Sequence, residues 1–262
     1  MDWLQLKRLV KKVVLSAAHR LGYDIVYKQS AHQISSFPPD FNPEEMEIIR
    51  ETKPFTLSSV ERIYALIQAV RYVVKNEVPG DIVECGVWKG GSMMAIAKTL
   101  LSLGDTSRKL YLFDTFTGMP KPGEIDTSPV DGKASDLFAA RQTSDNTSDW
   151  CYATLDEVQE VMNSTGYPAS NLYFVKGLVE ETIPAKAPNS ISILRLDTDW
   201  YSSTHHELVN LFPRLSRGGV IVIDDYGHWV GAKKATDEYF SQNRTPILLH
   251  RIDATARVGV KS

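Results

Sequence analysis

Asp81-Ile-Val-Glu-Cys-Gly-Val-Trp-Lys-Gly-Gly-Ser-Met-Met-Ala-Ile-Ala97 sets three pieces in succession: an apolar run, a turn with Gly86, Gly90 and Gly91, and the start of a helix. Glycines permit a tight turn and let backbone N–H groups approach a ligand, and a helix N-terminus favours a negative group such as a carboxylate. The spacing, Gly86-x3-Gly90-Gly91, is neither G-x-G-x-x-G nor a P-loop, which would end in Gly-Lys-Ser/Thr. Four more apolar runs follow the same beat: "KLYLFDTF" from Lys109, "NLYFVKG" from Asn171, "ISILRLDTD" from Ile191 and "GGVIVIDDY" from Gly218. Helical patterns lie between several of them, at "GSMMAIAKTLLSL", "TLDEVQEVMNSTG" and "SSTHHELVNLFPRL". A further helix precedes the first run in "TLSSVERIYALIQAVRYVVKN". There Ser58 or Ser59 offers an N-cap, Glu61 sits in the first turn, and apolar residues recur at 63, 66, 67, 70, 73 and 74. Strands alternating with helices predict an α/β fold with a mostly parallel sheet and helices on both faces.

The 262 residues suffice for one such domain with a small appendage, and 23% charged with 43% hydrophobic residues describes an ordinary soluble globular protein. A net charge of −3 offers no general attraction to nucleic acid. Cys85 and Cys151 form no disulfide framework and lack metal-ligand spacing, which fits a reducing cytoplasm. No run of about 18 apolar residues predicts a transmembrane segment, and the N-terminus lacks the pattern of a signal peptide. Trp3, Leu6, Val10, Val13, Val14 and Ala17 fall near one helical face, with Lys7, Arg8 and Lys11 largely elsewhere. A helix of this kind, over residues 3–18, can lie on an anionic membrane surface. Packing on its own domain or on a partner subunit, as in a homodimer, is the plainer expectation.

In parallel sheets ligands bind beyond the carboxyl ends of the strands. Here those ends carry Glu84, Asp114, Lys176, Asp197 with Asp199, and Asp224 with Asp225. Asp114 is placed to accept hydrogen bonds from ribose hydroxyls, or else to cap the turn in "DTFTG"; Glu84 suits an amino group or a ribose. A glycine turn followed by a ribose acid serves NAD or S-adenosyl-L-methionine. The looser turn favours S-adenosylmethionine, which has no pyrophosphate to cradle.

Asp197, Asp224 and Asp225 lie at the ends of two strands that neighbour each other if sequential strands are adjacent. Three clustered carboxylates raise one another's pKa, and a hard divalent cation such as Mg²⁺ removes that penalty. The alternative is that they cap helices and pair with Arg195, Lys233 or Lys234. Asp199 is then available as a general base beside an acceptor hydroxyl that the metal orients, with His205, His206 and His228 as rivals. Alternation along a strand would give Asp197 and Asp199 the same facing, so their division has to come from reach.

Together "PGDIVECGVWKGGS", "LYLFDTFTGMP", "YFVKGLVEETIP", "LRLDTDWYSST" and "GGVIVIDDYGHWVGAKKATDEYF" resemble the macrocin O-methyltransferase family of metal-dependent class I sugar methyltransferases, from about residue 54 to 240. The resemblance implies a Rossmann-like class I methyltransferase fold, with an N-terminal helical and irregular extension over residues 1–54 and a methyltransferase domain over 55–262. It implies that Glu84, Gly86 and Ser92 hold the methionine part of S-adenosylmethionine, and that Asp114 meets the ribose. Thr56 and Ser58 match a segment that covers the cofactor, and Lys176, Gly177 and Leu178 follow the strand bordering the adenine. Asp197, Asp224 and Asp225 match the Mg²⁺ ligands, and Asp199 the general base. Residues 118–150, a long polar insertion, match a lid-like region that orders over cofactor and acceptor. The implied activity is O-methylation of a sugar hydroxyl on a glycosylated natural product, as in antibiotic biosynthesis, or on a glycan. A phenol or catechol acceptor, an NAD-linked oxidoreductase and a non-catalytic interaction domain are the competing readings.

Overall fold

The structure, a computed structural model, describes residues 37–244 and 246–262. The basic helix expected at residues 3–18, with any membrane or subunit contact it makes, lies outside the described residues. No helix among the described residues is long and apolar enough to cross a membrane.

Strands β1 (Asp81–Cys85), β2 (Leu110–Asp114), β3 (Leu172–Lys176), β4 (Ile191–Leu196) and β5 (Leu215–Ile223) run parallel. Two C-terminal strands that the apolar pattern did not announce, β6 (His250–Arg251) and β7 (Arg257–Val260), complete the sheet, with β7 antiparallel to both β5 and β6. The order is β3-β2-β1-β4-β5-β7-β6. The chain therefore leaves β1 on one side toward β2 and returns to its other side as β4, which opens a crevice at the carboxyl ends of these strands.

Every residue of β4 is buried, as a central strand covered on both faces requires. Val83, Cys85, Leu194, Leu196, Ile221 and Ile223 share one core with Val179 of α6 (Val179–Thr182), Leu208 and Leu211 of α7 (Tyr201–Leu211) and Tyr239 of α8 (Val230–Gln242). Period-2 alternation sends the intervening Glu84 and Arg195 to the opposite face, toward α2 (Val60–Lys75). On that face α1 (Pro43–Thr52), α2, α3 (Gly91–Ser102) and α5 (Leu155–Ser164) pack on one another.

Helix α2 shows how the sequence sets its own limits. Ser59 caps it by accepting from Arg62 N, and Ile63, Leu66, Ile67, Val70 and Val73 form its buried stripe. It ends in a Schellman arrangement: Val78 N donates to Val73 O, Glu77 N donates to Val74 O, and Glu77 adopts φ +51°. Pro79 and Gly80 then lead straight into β1.

The polar insertion at 118–150 holds two short hairpins and a helix, α4 (Ala134–Ala140). Its Asp126 is 2% exposed and accepts hydrogen bonds from Gly123 N and Tyr201 N, each at 2.8 Å. The N-cap of α7 is Trp200, whose side chain has no oxygen to offer, so Asp126 supplies the missing side-chain acceptor at that helix N-terminus. The Trp200 indole N–H donates to Pro120 O at 3.0 Å. These bonds tie the insertion to the carboxyl edge of the sheet.

Candidate active site

A cleft of about 410 Å³ runs along that edge, within the size range of small-molecule sites. At one end is the Gly86–Ser92 turn, where Gly86 is the tightest point. Its φ is +82°, and a Cβ there would stand 1.9 Å from the carbonyl oxygen of Asp197. The approach is close because Asp197 N continues the β1–β4 ladder by donating to Cys85 O at 2.9 Å. Gly90, at φ +85°, forms the N-cap of α3 without a side chain, leaving first-turn N–H groups beside the cleft.

Asp114 holds this turn in place. Its carboxylate accepts from Val87 N at 2.7 Å, Trp88 N at 3.0 Å and Phe116 N at 2.7 Å. The cap alternative for Asp114 is thus realised, and it spans β1 and β2 rather than "DTFTG" alone. Burial raises its pKa against those three N–H donors. A carboxylate offers about four lone-pair sites, and Asp114 still lines the cleft.

Beyond the turn the acids gather around guanidinium groups. Register places Arg195 directly beside Glu84. The two are 2% and 1% exposed and form an ion pair, which removes Glu84 from the cleft wall. The same guanidinium reaches Asp224 at 2.6 Å, Asp197 at 2.7 Å and Ser58 Oγ at 3.0 Å. Arg62, on the first turn of α2, pairs with the other oxygen of Asp224 and with Asp253 at 2.7 Å, and also bonds Thr255. The expected pairing of the aspartates with arginine therefore occurs at Asp197 and Asp224. It does not involve Lys233 or Lys234, which pair with Asp237 and Glu238.

Asp197, Asp224 and Asp225 nonetheless converge: one carboxylate oxygen of each lies within 4.8 Å of the others. Asp225 accepts the backbone N–H of Asp199, at 3.1 Å, and its carboxyl also adjoins that of Asp199. Burial, then repulsion from Asp199, Asp197 and Asp224, pushes its pKa well up. Asp197 is raised by burial too, with Arg195 opposing. Excess negative charge with hard oxygen donors is the setting in which a divalent cation binds.

Asp199 is not one of the three that converge, although its carboxyl adjoins that of Asp225. Strand β4 ends at Leu196, so alternation no longer governs positions 197–199, and Asp199 adopts φ +66°. The shared facing expected from alternation therefore does not apply, because the backbone turns between the two aspartates. Asp199 Oδ1 accepts the indole N–H of Trp229 at 2.6 Å. Burial pushes its pKa up to about 7, opposed by the hydrogen bonds with Trp229 and Asp225.

Thr56, Ser58, Gly86, Ser92, Asp114, Gly177, Leu178, Asp197, Asp199, Asp224 and Asp225 all line the cleft; Glu84 and Lys176 do not. Glu84 stands behind Arg195, and Lys176 is exposed at the end of edge strand β3. Of the rival bases, His228 reaches the cleft and bonds Asp131 at 2.8 Å, whereas His206 bonds Ile183 O and His205 stacks on Tyr201. Sequence reasoning passed over Arg62, Trp150 and Trp229, and saw Arg195 only as a possible partner. A lone arginine inside the apolar run "ISILRL" was the available signal, since a buried charge requires a partner.

The macrocin-O-methyltransferase family (TylF) matches residues 11–259. The 8-demethyl-8-(2,3-dimethoxy-alpha-L-rhamnosyl)-tetracenomycin-C 4'-O-methyltransferase of Streptomyces olivaceus is 31% identical over 221 residues, covering 83% of this chain and 78% of that protein. The demethyldecarbamoylnovobiocin O-methyltransferase of Streptomyces niveus is 29% identical, covering 90% and 83%. The solved structure of the O-methyltransferase NovP superposes with a TM-score of 0.69 at 28% identity, covering 79% of this chain and 82% of that one.

Proposed function

The chain belongs to the macrocin-O-methyltransferase family and is an O-methyltransferase; from that premise we propose that it transfers the methyl group of S-adenosylmethionine, with Mg²⁺, to a sugar hydroxyl of a glycosylated small molecule. The observation that carries this reading is the convergence of Asp197, Asp224 and Asp225 within 4.8 Å, in the same cleft as the glycine turn. The glycine turn and α3 N-terminus suit the methionine carboxylate, and Asp114, which lines the cleft, has at most one lone-pair site left for a ribose hydroxyl beside its backbone N–H donors. The name of the tetracenomycin relative specifies methylation of a rhamnosyl derivative, which supports a sugar as the acceptor here.

When bound at the three aspartates, Mg²⁺ would acidify and orient the acceptor hydroxyl. Asp199 takes the hydroxyl proton, held in place by the Trp229 N–H on Oδ1 and by its own N–H on Asp225. Arg195 and Arg62 fix Asp224 from two sides, so that carboxylate has little freedom to rearrange. Methyl transfer from a sulfonium needs little more from the protein than orientation and proton removal.

The test is a methyl-transfer screen of glycoside and phenol acceptors, with S-adenosylhomocysteine release measured first in Mg²⁺ and then in EDTA. Metal-dependent turnover of glycosides is expected. Turnover that EDTA leaves unchanged removes the metal, and turnover confined to phenols removes the sugar.

A further inference from the structure

The insertion carries Trp150 into the cleft wall, where the indole is half-buried. Its ring meets Trp200 and Trp229 edge-on, with centroids 5.6 and 6.1 Å away and interplanar angles of 62° and 64°. Those two are 1% and 2% exposed and pack edge to face on each other at 5.2 Å. Each is also pinned by its indole N–H, Trp200 to Pro120 O and Trp229 to Asp199 Oδ1. Trp150 is thus a partly exposed indole on the cleft wall, packed against two immobilised rings, and one of these touches the carboxylate proposed as the base.

We propose that Trp150 is the platform for the acceptor's sugar ring: a pyranose lays its C–H face on the indole and turns its reactive hydroxyl toward Asp199. The inference rests on the sugar-hydroxyl reading above. An aromatic face carries the negative part of the ring quadrupole and attracts polarised C–H bonds. A ring already held by its neighbours loses little conformational freedom when a ligand stacks on it. The polar groups nearby suit a pyranose better than a catechol. His228, packed edge-on against Trp229, and its partner Asp131 both line the cleft, giving hydrogen-bonding partners for hydroxyls other than the one that reacts. Asp131 and Trp150 both belong to the insertion, so that segment supplies part of the acceptor subsite as well as its cover.

The probes are methyl α-L-rhamnopyranoside and catechol, each added to the full chain saturated with S-adenosylhomocysteine and followed by saturation-transfer NMR and titration. The glycoside is expected to receive saturation mainly at ring C–H protons. Trp150→Ala should weaken glycoside binding about tenfold, as loss of one well-packed aromatic contact implies, and Trp150→Phe should restore most of it. S-adenosylhomocysteine affinity should remain unchanged in both variants, which also reports that they fold. Glycoside binding unaltered by Trp150→Ala, or weakened no more than catechol binding, overturns the proposal. So does absence of glycoside binding by a wild-type protein that binds S-adenosylhomocysteine. Failure of the wild type to bind S-adenosylhomocysteine overturns the transferase reading itself.

Discussion

Arg195→Met removes one charge from the centre of the sheet while keeping most of the side chain's length. Three carboxylates lose a partner, but unequally. Asp224 keeps Arg62, and Asp197, with 28% of its side chain exposed, can turn to water. Glu84 is 1% exposed and has no other ion pair among the described residues, so the loss falls on it. Stranding one buried charge costs about 3–5 kcal/mol, a large share of a typical stability of about 5–15 kcal/mol. Burial already pushes the Glu84 carboxyl up to about 7, with Arg195 opposing the rise; without Arg195 it moves higher. An acid whose folded pKa is raised binds a proton in the native state that the unfolded chain has released. The contribution of Glu84 to stability is therefore greatest below the ordinary value of 4.5 and falls as pH climbs from there through the folded pKa. In the variant that decline extends past neutrality, with a slope of up to about 1.4 kcal/mol per pH unit for one proton. Urea unfolding followed by tryptophan fluorescence in EDTA, from about pH 5.5 to about pH 8.5, measures it. Glu84→Gln in the Arg195→Met background should recover most of the loss at the alkaline end and flatten the slope. The reasoning is refuted if Arg195→Met lies within about 1 kcal/mol of wild type at about pH 8, or if the double variant is no more stable than the single one.

Asp199→Asn should lower kcat by about 10²–10⁴-fold, the usual worth of a general base, with S-adenosylhomocysteine affinity by calorimetry unchanged; a loss below about threefold would remove Asp199 as the base. Asp225→Asn should raise the Mg²⁺ concentration needed for half-maximal turnover without altering the melting temperature, whereas an unchanged metal titration would take Asp225 out of the ligand set. Gly86→Ala places a methyl group 1.9 Å from a backbone oxygen at a φ of +82°, and should yield insoluble protein or a melting temperature lowered well beyond the roughly 2–4 °C that 1 kcal/mol produces in a domain of this size. A near-native thermal melt by circular dichroism would show that the turn is looser than described. Asp126→Ala, which leaves the α7 N-terminus and Gly123 without their acceptor, should speed proteolytic cleavage between residues 118 and 150 while the sheet stays intact; unchanged cleavage would mean that Pro120 and the tryptophans hold the insertion alone.

The strands that carry the acids were legible because each is an apolar run closed by polar residues, and parallel strands put those closures on one edge. Partnership was not legible. Glu84 and Arg195 are 111 residues apart, and only the register of β1 against β4 brings them together. Asp199 defeated the alternation rule because β4 stops three residues before it and the chain enters a left-handed conformation that no pattern at 197–199 signals. Strands β6 and β7 are short and lack a long apolar run, so they raised no signal. The insertion reads as polar, and its composition conceals that Asp126 and Trp150 spend their interactions on α7 and the sheet edge rather than on solvent.

The arginines also decide what the aspartates are free to do. Asp224 has a guanidinium on each oxygen, Arg195 on one and Arg62 on the other, so its position is set by protein alone. Asp197 shares Arg195 but remains partly exposed. Among the described residues Asp225 has no ion pair with a guanidinium; it accepts the N–H of Asp199 and adjoins that residue's carboxyl. A cation entering the cleft would therefore meet one acid already immobilised, one half-neutralised and one, Asp225, whose charged form burial and acidic neighbours disfavour until a cation offsets them. That gradient favours a small divalent ion over a third arginine: the ion can take single oxygens from all three without displacing the hydrogen bonds that hold Asp224. It also explains the backbone turn at Asp199. The link from Asp199 N holds Asp225, and the same turn places the Asp199 carboxylate on the indole N–H of Trp229, within the tryptophan cluster. One left-handed residue thereby distinguishes the carboxylates proposed to hold the metal from the one proposed to take the acceptor proton.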